Sequence, residues 1–231
     1  MDEILYGFIQ AIQLIFSFDP SLYEIIFLSL RVSGIALAIS VVIGVPVGAA
    51  LGLSRLRLRG LATALLYTGM GLPPVVVGLF VYLMLSRSGP FGLLGWLFTP
   101  SAMVVAQVII AFPLVAGLTM STVQGVDPAL RLQVRSLGAT RWQETWAVLR
   151  EARIGVIAAI VAAFGSIISE VGAVMLVGGN IDGKTRVLTT AIVLNTRTGE
   201  FASALALGVI LLMLAFIANV AMLQLQRRAG D

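Results

Sequence analysis

The chain has 231 residues, 59% of them hydrophobic and 11% charged, and its mean hydropathy is +1.03. Soluble domains carry roughly 25% charged residues, so this chain is too poor in charge to cover a water-facing surface, and its length counts membrane spans. It has no Cys and no His, which removes thiol nucleophiles, disulfides, Cys/His metal sites and imidazole bases, and its net charge of +4 reads as a topology signal rather than a nucleic-acid surface.

In chain order, Met1-Asp2-Glu3 is acidic, unlike the basic start of a cleavable signal. Ile4 to Phe18 is apolar over only 15 residues, which at about 1.5 Å per residue hardly crosses the hydrocarbon. An interfacial or packed helix is expected over 1–20, with a sixth span as the alternative. A spanning helix needs roughly 20 mostly apolar residues. Five stretches meet that need: Val32 to Ser54, Gly60 to Ser86, 101–124, Ile154 to Val177 and Phe201 to Gln226. Turn signals at Ser88-Gly89-Pro90 and Thr99-Pro100 set the start of the third. The expectation is an all-α, polytopic membrane protein of about five transmembrane helices over 21–231, preceded by a short N-terminal helix.

Orientation follows from Lys and Arg. Arg55, Arg57 and Arg59, then Arg131, Arg135, Arg141, Arg150 and Arg153, then Arg227 and Arg228 all fall on one side of five spans. That side should be cytoplasmic, with the N-terminus outside and the C-terminus inside the cell membrane. Arg87, Lys184, Arg186 and Arg197 fall outside.

The loop over 125–153 carries the strongest signal. Asp127 suits an N-cap, Pro128 the first helical position and Gly138 the left-handed residue that ends a helix. A short helix is expected over 128–137, with Leu130, Val134 and Leu137 on one face and Arg131 and Arg135 together on a neighbouring face. Thr140 and Gln143 form a capping box for a second helix, on which Trp142 and Trp146 stand four apart at the membrane boundary. Two readings follow: a membrane-surface hairpin that meets lipid phosphates, or a rigid knob that docks into a soluble partner.

Inside the spans, Pro73 and Pro74 are either a static kink or a bend that shapes the pathway or its gate. Glu170 is the single charge of the fourth span. A carboxylate there costs at least ~2.5–3.5 kcal/mol unless paired or hydrated. Arg31 falls at a similar depth, roughly 10–12 Å from the outer boundary. The two are expected to pair or to share a polar cavity. Outside, Asn180, Lys184, Arg186 and Arg197 form either a solvated basic loop or a receiving surface for a binding protein, where positive potential favours an anion.

Several runs resemble one family in the same order. Leu137-Gly138-Ala139-Thr140-Arg141-Trp142, with Ala152-Arg153 and Gly155, resembles the cytoplasmic EAA loop of permease subunits of ATP-binding-cassette importers. Leu132-Gln133-Val134 stands where Glu-Ala-Ala is usual, and Arg150 where a Pro often follows. Leu30 to Gly52, which ends in Gly44-x-Pro46-x-Gly48, resembles the usual first core span of such permeases. The Leu72–Leu79 run with its two prolines, Ser169-Glu170-Val171-Gly172-Ala173 and Gly178-Gly179-Asn180-Ile181 resemble the molybdate, sulfate and tungstate permeases, and the last two look most like the tungstate branch.

The resemblance implies a type I importer permease that moves an oxyanion by alternating access. It further implies a homodimer, two ATPase subunits that hold ATP and Mg, and an extracytoplasmic oxyanion-binding protein. The chain itself would hold no cofactor, metal or catalytic residue, and it has no Gly-x-x-x-x-Gly-Lys-Ser/Thr phosphate loop. Leu132, Arg135, Leu137, Gly138, Ala139, Thr140, Arg141 and Trp142 would form the coupling helix surface. A self-sufficient anion carrier or channel is the alternative, and an intramembrane enzyme a third.

Overall fold

The computed structural model of the chain describes residues 9, 12–13, 20–54 and 59–230. The N-terminal helix expected over 4–18 lies outside them, save that Ile9, Ile12 and Gln13 are helical. Arg55 and Arg57 also lie outside. Among the described residues there are ten α-helices, one 3-10 turn at Gly92–Leu94 and no strand, so the protein is all-α as expected. The helices are α1 (Pro20–Leu53), α2 (Arg59–Met70), α3 (Pro74–Leu85), α4 (Pro100–Gln124), α5 (Pro128–Ser136), α6 (Arg141–Glu151), α7 (Arg153–Ile168), α8 (Gly172–Gly178), α9 (Leu188–Thr198) and α10 (Phe201–Gly230). Three stretches, α1, α4 and residues Phe201–Ala221 of α10, are each long and apolar enough to cross a membrane. Counting the bent pairs α2/α3 and α6/α7 as one span each brings the number to five.

Three expectations need correction. The first helix starts at Pro20 rather than Val32 and carries Glu24 and Arg31 on exposed positions, where a charge does not interrupt an otherwise apolar helix. The second stretch is two helices, not one kinked span. α2 ends at Met70, the Gly71 amide donates back to Tyr67 and Thr68, and α3 begins afresh with extended Pro73 as its N-cap and Pro74 at its first position. A proline disfavours helix in the residue before it and suits the first turn of a new one, so consecutive prolines separate two helices. The fourth stretch also breaks: α7 stops at Ile168 and α8 starts at Gly172.

The chain groups into two compact units. One takes in the described residues of Met1–Ala36 with Pro73–Gln107 and Gly165–Val220. Its core joins the start of α1 to α9 and α10 through Leu22, Leu188, Ala191, Leu207 and Ile210. The Leu188 amide donates to Ser29 Oγ at 2.9 Å, which fixes the same pair of helices. Gly78 of α3 lies so close to α8 that an added Cβ would stand 2.6 Å from Ala173 Cα.

The second unit is formed by Leu37–Leu72, Val108–Phe164 and the described part of Ala221–Asp231. Here Gly44, Gly48 and Gly52, spaced four apart on α1, face α4. Added Cβ atoms would meet Val115 at 3.0 Å, the Ala116 carbonyl oxygen, and Val123 at 2.8 Å. Small residues at this spacing let two backbones pack directly, which is how helices associate where lipid offers no hydrophobic drive. Ala49, Val123, Val148 and Ala152 then tie α1 and α4 to the α6/α7 junction.

Candidate functional site

The loop between α4 and α7 is a capped helical hairpin. Asp127 Oδ1 accepts the Ala129 amide at 2.8 Å and Pro128 opens α5. At the other end Gly138 takes φ +82°, the Gly138 amide donates to Arg135 and the Ala139 amide to Val134. That pair of bonds is a Schellman ending, which requires the left-handed residue glycine supplies. Thr140 then caps α6. Its Oγ1 accepts the Gln143 amide at 3.3 Å, and Gln143 Oε1 accepts the Thr140 amide at 2.8 Å. The N-cap, the glycine stop and the capping box all stand where the sequence placed them.

One side chain that sequence reasoning missed locks the two helices together. Glu144 of α6 is 5% exposed, and its two carboxylate oxygens each accept from an arginine Nε of α5, Arg131 and Arg135, at 2.8 Å. The Arg135 hydrogen bond, joined by that of Arg131, holds the Glu144 carboxyl below its ordinary range even though burial pushes the other way. The available signal was that Glu144 is the one acid between Pro128 and Arg150, set against two arginines one helical turn apart.

The exposed surface of the hairpin mixes large apolar side chains with polar ones such as Gln133, Arg135, Arg141 and Gln143. Leu132, Trp142 and Trp146 are exposed, and Leu137 is 87% exposed. The expected stripe is therefore incomplete. Leu130 and Val134 are half-buried, while Leu137 is the C-cap, past the last helical residue, and is exposed. Arg141 lines a cavity of about 560 Å³ together with Arg131, Arg135 and Glu144.

The remaining candidates lie in the other unit. Arg31 lines a cavity of about 270 Å³ with Glu24, Asp182, Lys184 and Arg186. Glu170 lines a separate, much smaller one of about 10 Å³ with Ser29, Ser33, Gln107 and Thr189. No ion pair joins Arg31 to Glu170 among the described residues. Instead Glu170 sits in the break between α7 and α8, where its Oε1 accepts the Ala173 amide at 3.0 Å and its carbonyl accepts from Thr189 Oγ1. The carboxylate thus serves the first turn of a helix, where an acid is favoured. Asn180 takes φ +50° beside Gly179, and the amides of Lys184, Thr185 and Arg186 all converge on the Ile181 carbonyl. Arg186 pairs with Asp182 at 2.8 Å, and Arg197 is exposed in the last turn of α9.

Residues 44–231 match the family of binding-protein-dependent transport system inner membrane components. The chain belongs to that family. This membrane component is 43% identical over 226 residues to the tungstate uptake system permease protein TupB of Peptoclostridium acidaminophilum, an alignment that covers 98% of this chain and 99% of that one. It is 36% identical over 227 residues to TupB of Campylobacter jejuni, covering 98% and 95%. It is 31% identical over 209 residues to the molybdenum transport system permease protein ModB of Escherichia coli K12, covering 86% and 90%. In fold it matches a chain of the inward-facing MetNI methionine ABC transporter with a TM-score of 0.77 at 19% identity, over 90% of this chain and 96% of that one. Members of the family depend on a second, substrate-binding protein, a need that a self-sufficient carrier does not have.

Proposed function

We propose that the chain is the pore-forming permease of an ATP-driven importer for an oxyanion, tungstate first, with molybdate or sulfate as the alternatives. The end-to-end 43% identity to a tungstate uptake permease carries this reading. Two copies form the pathway, two ATPase subunits bind ATP and Mg, and an external binding protein delivers the anion. The N-terminus faces outside and the C-terminus the cytoplasm.

In this reading α5 is the lever. Leu132, Arg135, Leu137, Gly138, Ala139, Thr140, Arg141 and Trp142 meet the ATPase. A helix capped at both ends and pinned by Glu144 passes displacement on to α6 with little loss to bending. ATP favours the state in which the ATPases close together, and the membrane helices follow that preference. Pro73, Pro74 and Glu170 stand at the two helix breaks, where a change of direction needs the fewest backbone hydrogen bonds to be remade. Arg31, Lys184 and Arg186 line one cavity with Glu24 and Asp182, which leaves it one positive charge in excess, and Asn180, Lys184, Arg186 and Arg197 form the face that receives the loaded binding protein.

The test is uptake into proteoliposomes that contain this chain, its ATPase and its binding protein. Tungstate should enter only with ATP and all three components. Leu137→Glu should leave the fold intact, because Leu137 buries almost nothing in this chain, yet release the ATPase on copurification. Uptake without nucleotide, or a full ATPase complement on the Leu137→Glu protein, overturns the reading.

A further inference from the structure

A second groove in the α6/α7 unit shares no lining residue with the cavity of Arg131, Arg135 and Glu144 and has a composition of its own. It measures about 420 Å³. Leu149, Val156 and Ile157 give it an apolar wall, Trp146 edges it, and Arg150 and Arg153 line it as well. The Arg153 Nε is buried and has no hydrogen-bond partner. Arg150 is exposed and enters no ion pair among the described residues. Glu151, the adjacent acid, does not line the groove.

A buried guanidinium N–H without an acceptor is costly, so the groove is incomplete as it stands. Water alone would satisfy Arg153 but leave the apolar wall wet. A soluble anion would satisfy both arginines and leave the same wall bare. The occupant that answers every side of the groove carries a phosphate and an acyl chain on one molecule.

The groove's position agrees. α6 holds four charged residues in eleven, whereas α7 has none after Arg153, and the two helices bend by 70° at their junction. Arg150 and Arg153 therefore mark the depth at which a charged helix gives way to an apolar one. That is the depth of lipid headgroups, with Trp146 at the level where tryptophan concentrates.

We propose that this groove binds one anionic phospholipid, its phosphate on Arg150 and Arg153 and an acyl chain along Leu149, Val156 and Ile157. The proposal does not depend on which solute the protein carries.

The experiment uses the full chain, with Trp96→Phe and Trp142→Phe so that Trp146 is the sole tryptophan, excited selectively over tyrosine, in nanodiscs that contain brominated phosphatidylglycerol or brominated phosphatidylcholine. A basic residue near the surface enriches anionic lipid roughly fivefold, so two arginines should favour phosphatidylglycerol by about thirtyfold at low salt. Arg150→Gln with Arg153→Gln should remove most of that preference, and glycerol phosphate in solution should not compete. Equal quenching by the two lipids in the parent protein overturns the proposal without reliance on any arginine variant. Displacement of the quencher by glycerol phosphate would reveal a site for anions only. Disulfide cross-linking of Trp146→Cys to a second copy would mean that protein covers the groove. Either result also overturns it.

Discussion

Replacing Glu144 by Gln keeps the size of the side chain and removes the charge that both Arg131 and Arg135 face. A hydrogen bond to a charged group contributes about 1.5–3 kcal/mol. Arg131 is 27% exposed and earns a figure near the bottom of that range, whereas Arg135 is 52% exposed and water screens its share to about 0.5–1 kcal/mol. The expected loss is about 2–3 kcal/mol, below the ~3–5 kcal/mol of a fully buried pair. It falls on the contact between α5 and α6 rather than on the whole fold. Hydrogen exchange reads it directly: amides of α5 should exchange roughly 30–150 times faster, while those of α4 stay as they were. The sign with pH follows from the depressed carboxyl. The stabilisation is complete above the ordinary carboxylate range and fades as pH falls through the lowered native value. Wild type and Glu144→Gln should therefore converge in acid. Exchange in α5 within about twofold of wild type at neutral pH would refute the clamp.

Other substitutions probe the helix contacts and caps. Gly48→Ala places a Cβ on the Ala116 carbonyl and should cost about 1–3 kcal/mol, seen as a lower thermal midpoint on size-exclusion chromatography. The same change at Gly34, in the same helix but with nothing within 4 Å, should raise the midpoint slightly, by about 0.5–1 kcal/mol of helix propensity. Gly138→Ala forces a side chain into φ +82° and should cost about 1–2 kcal/mol, with faster exchange at the end of α5. Thr140→Ala removes one half of the capping box and should cost about 1 kcal/mol at the start of α6, with α5 unaffected.

Elements governed by their own sequence were legible. The third span, the capped helix pair and its glycine stop depend on residues within a few positions of one another, and each stands where composition and caps placed it. Features that depend on neighbours were not. The run from Gly60 to Ser86 is apolar throughout, so hydropathy could not separate one kinked helix from two, and only the start of a fresh helix at Pro74 decides it. The break at Glu170 was hidden in the same way, since Ile167, Ile168, Val171 and Val174 would all suit an unbroken span. A lone carboxylate in an apolar run implies a countercharge, whereas the partner of Glu170 is a backbone amide three residues on. The Glu144 clamp needs two helices folded back on each other, and no periodicity along either one reveals it.

Three consecutive amides, from Lys184, Thr185 and Arg186, share the oxygen of Ile181, and Thr185 Oγ1 ties the same turn to Gly178. A segment knotted this tightly has already surrendered its freedom before anything touches it. In the proposed docking the binding protein would meet a finished shape there, so the entropy of ordering this turn would not be subtracted from the affinity.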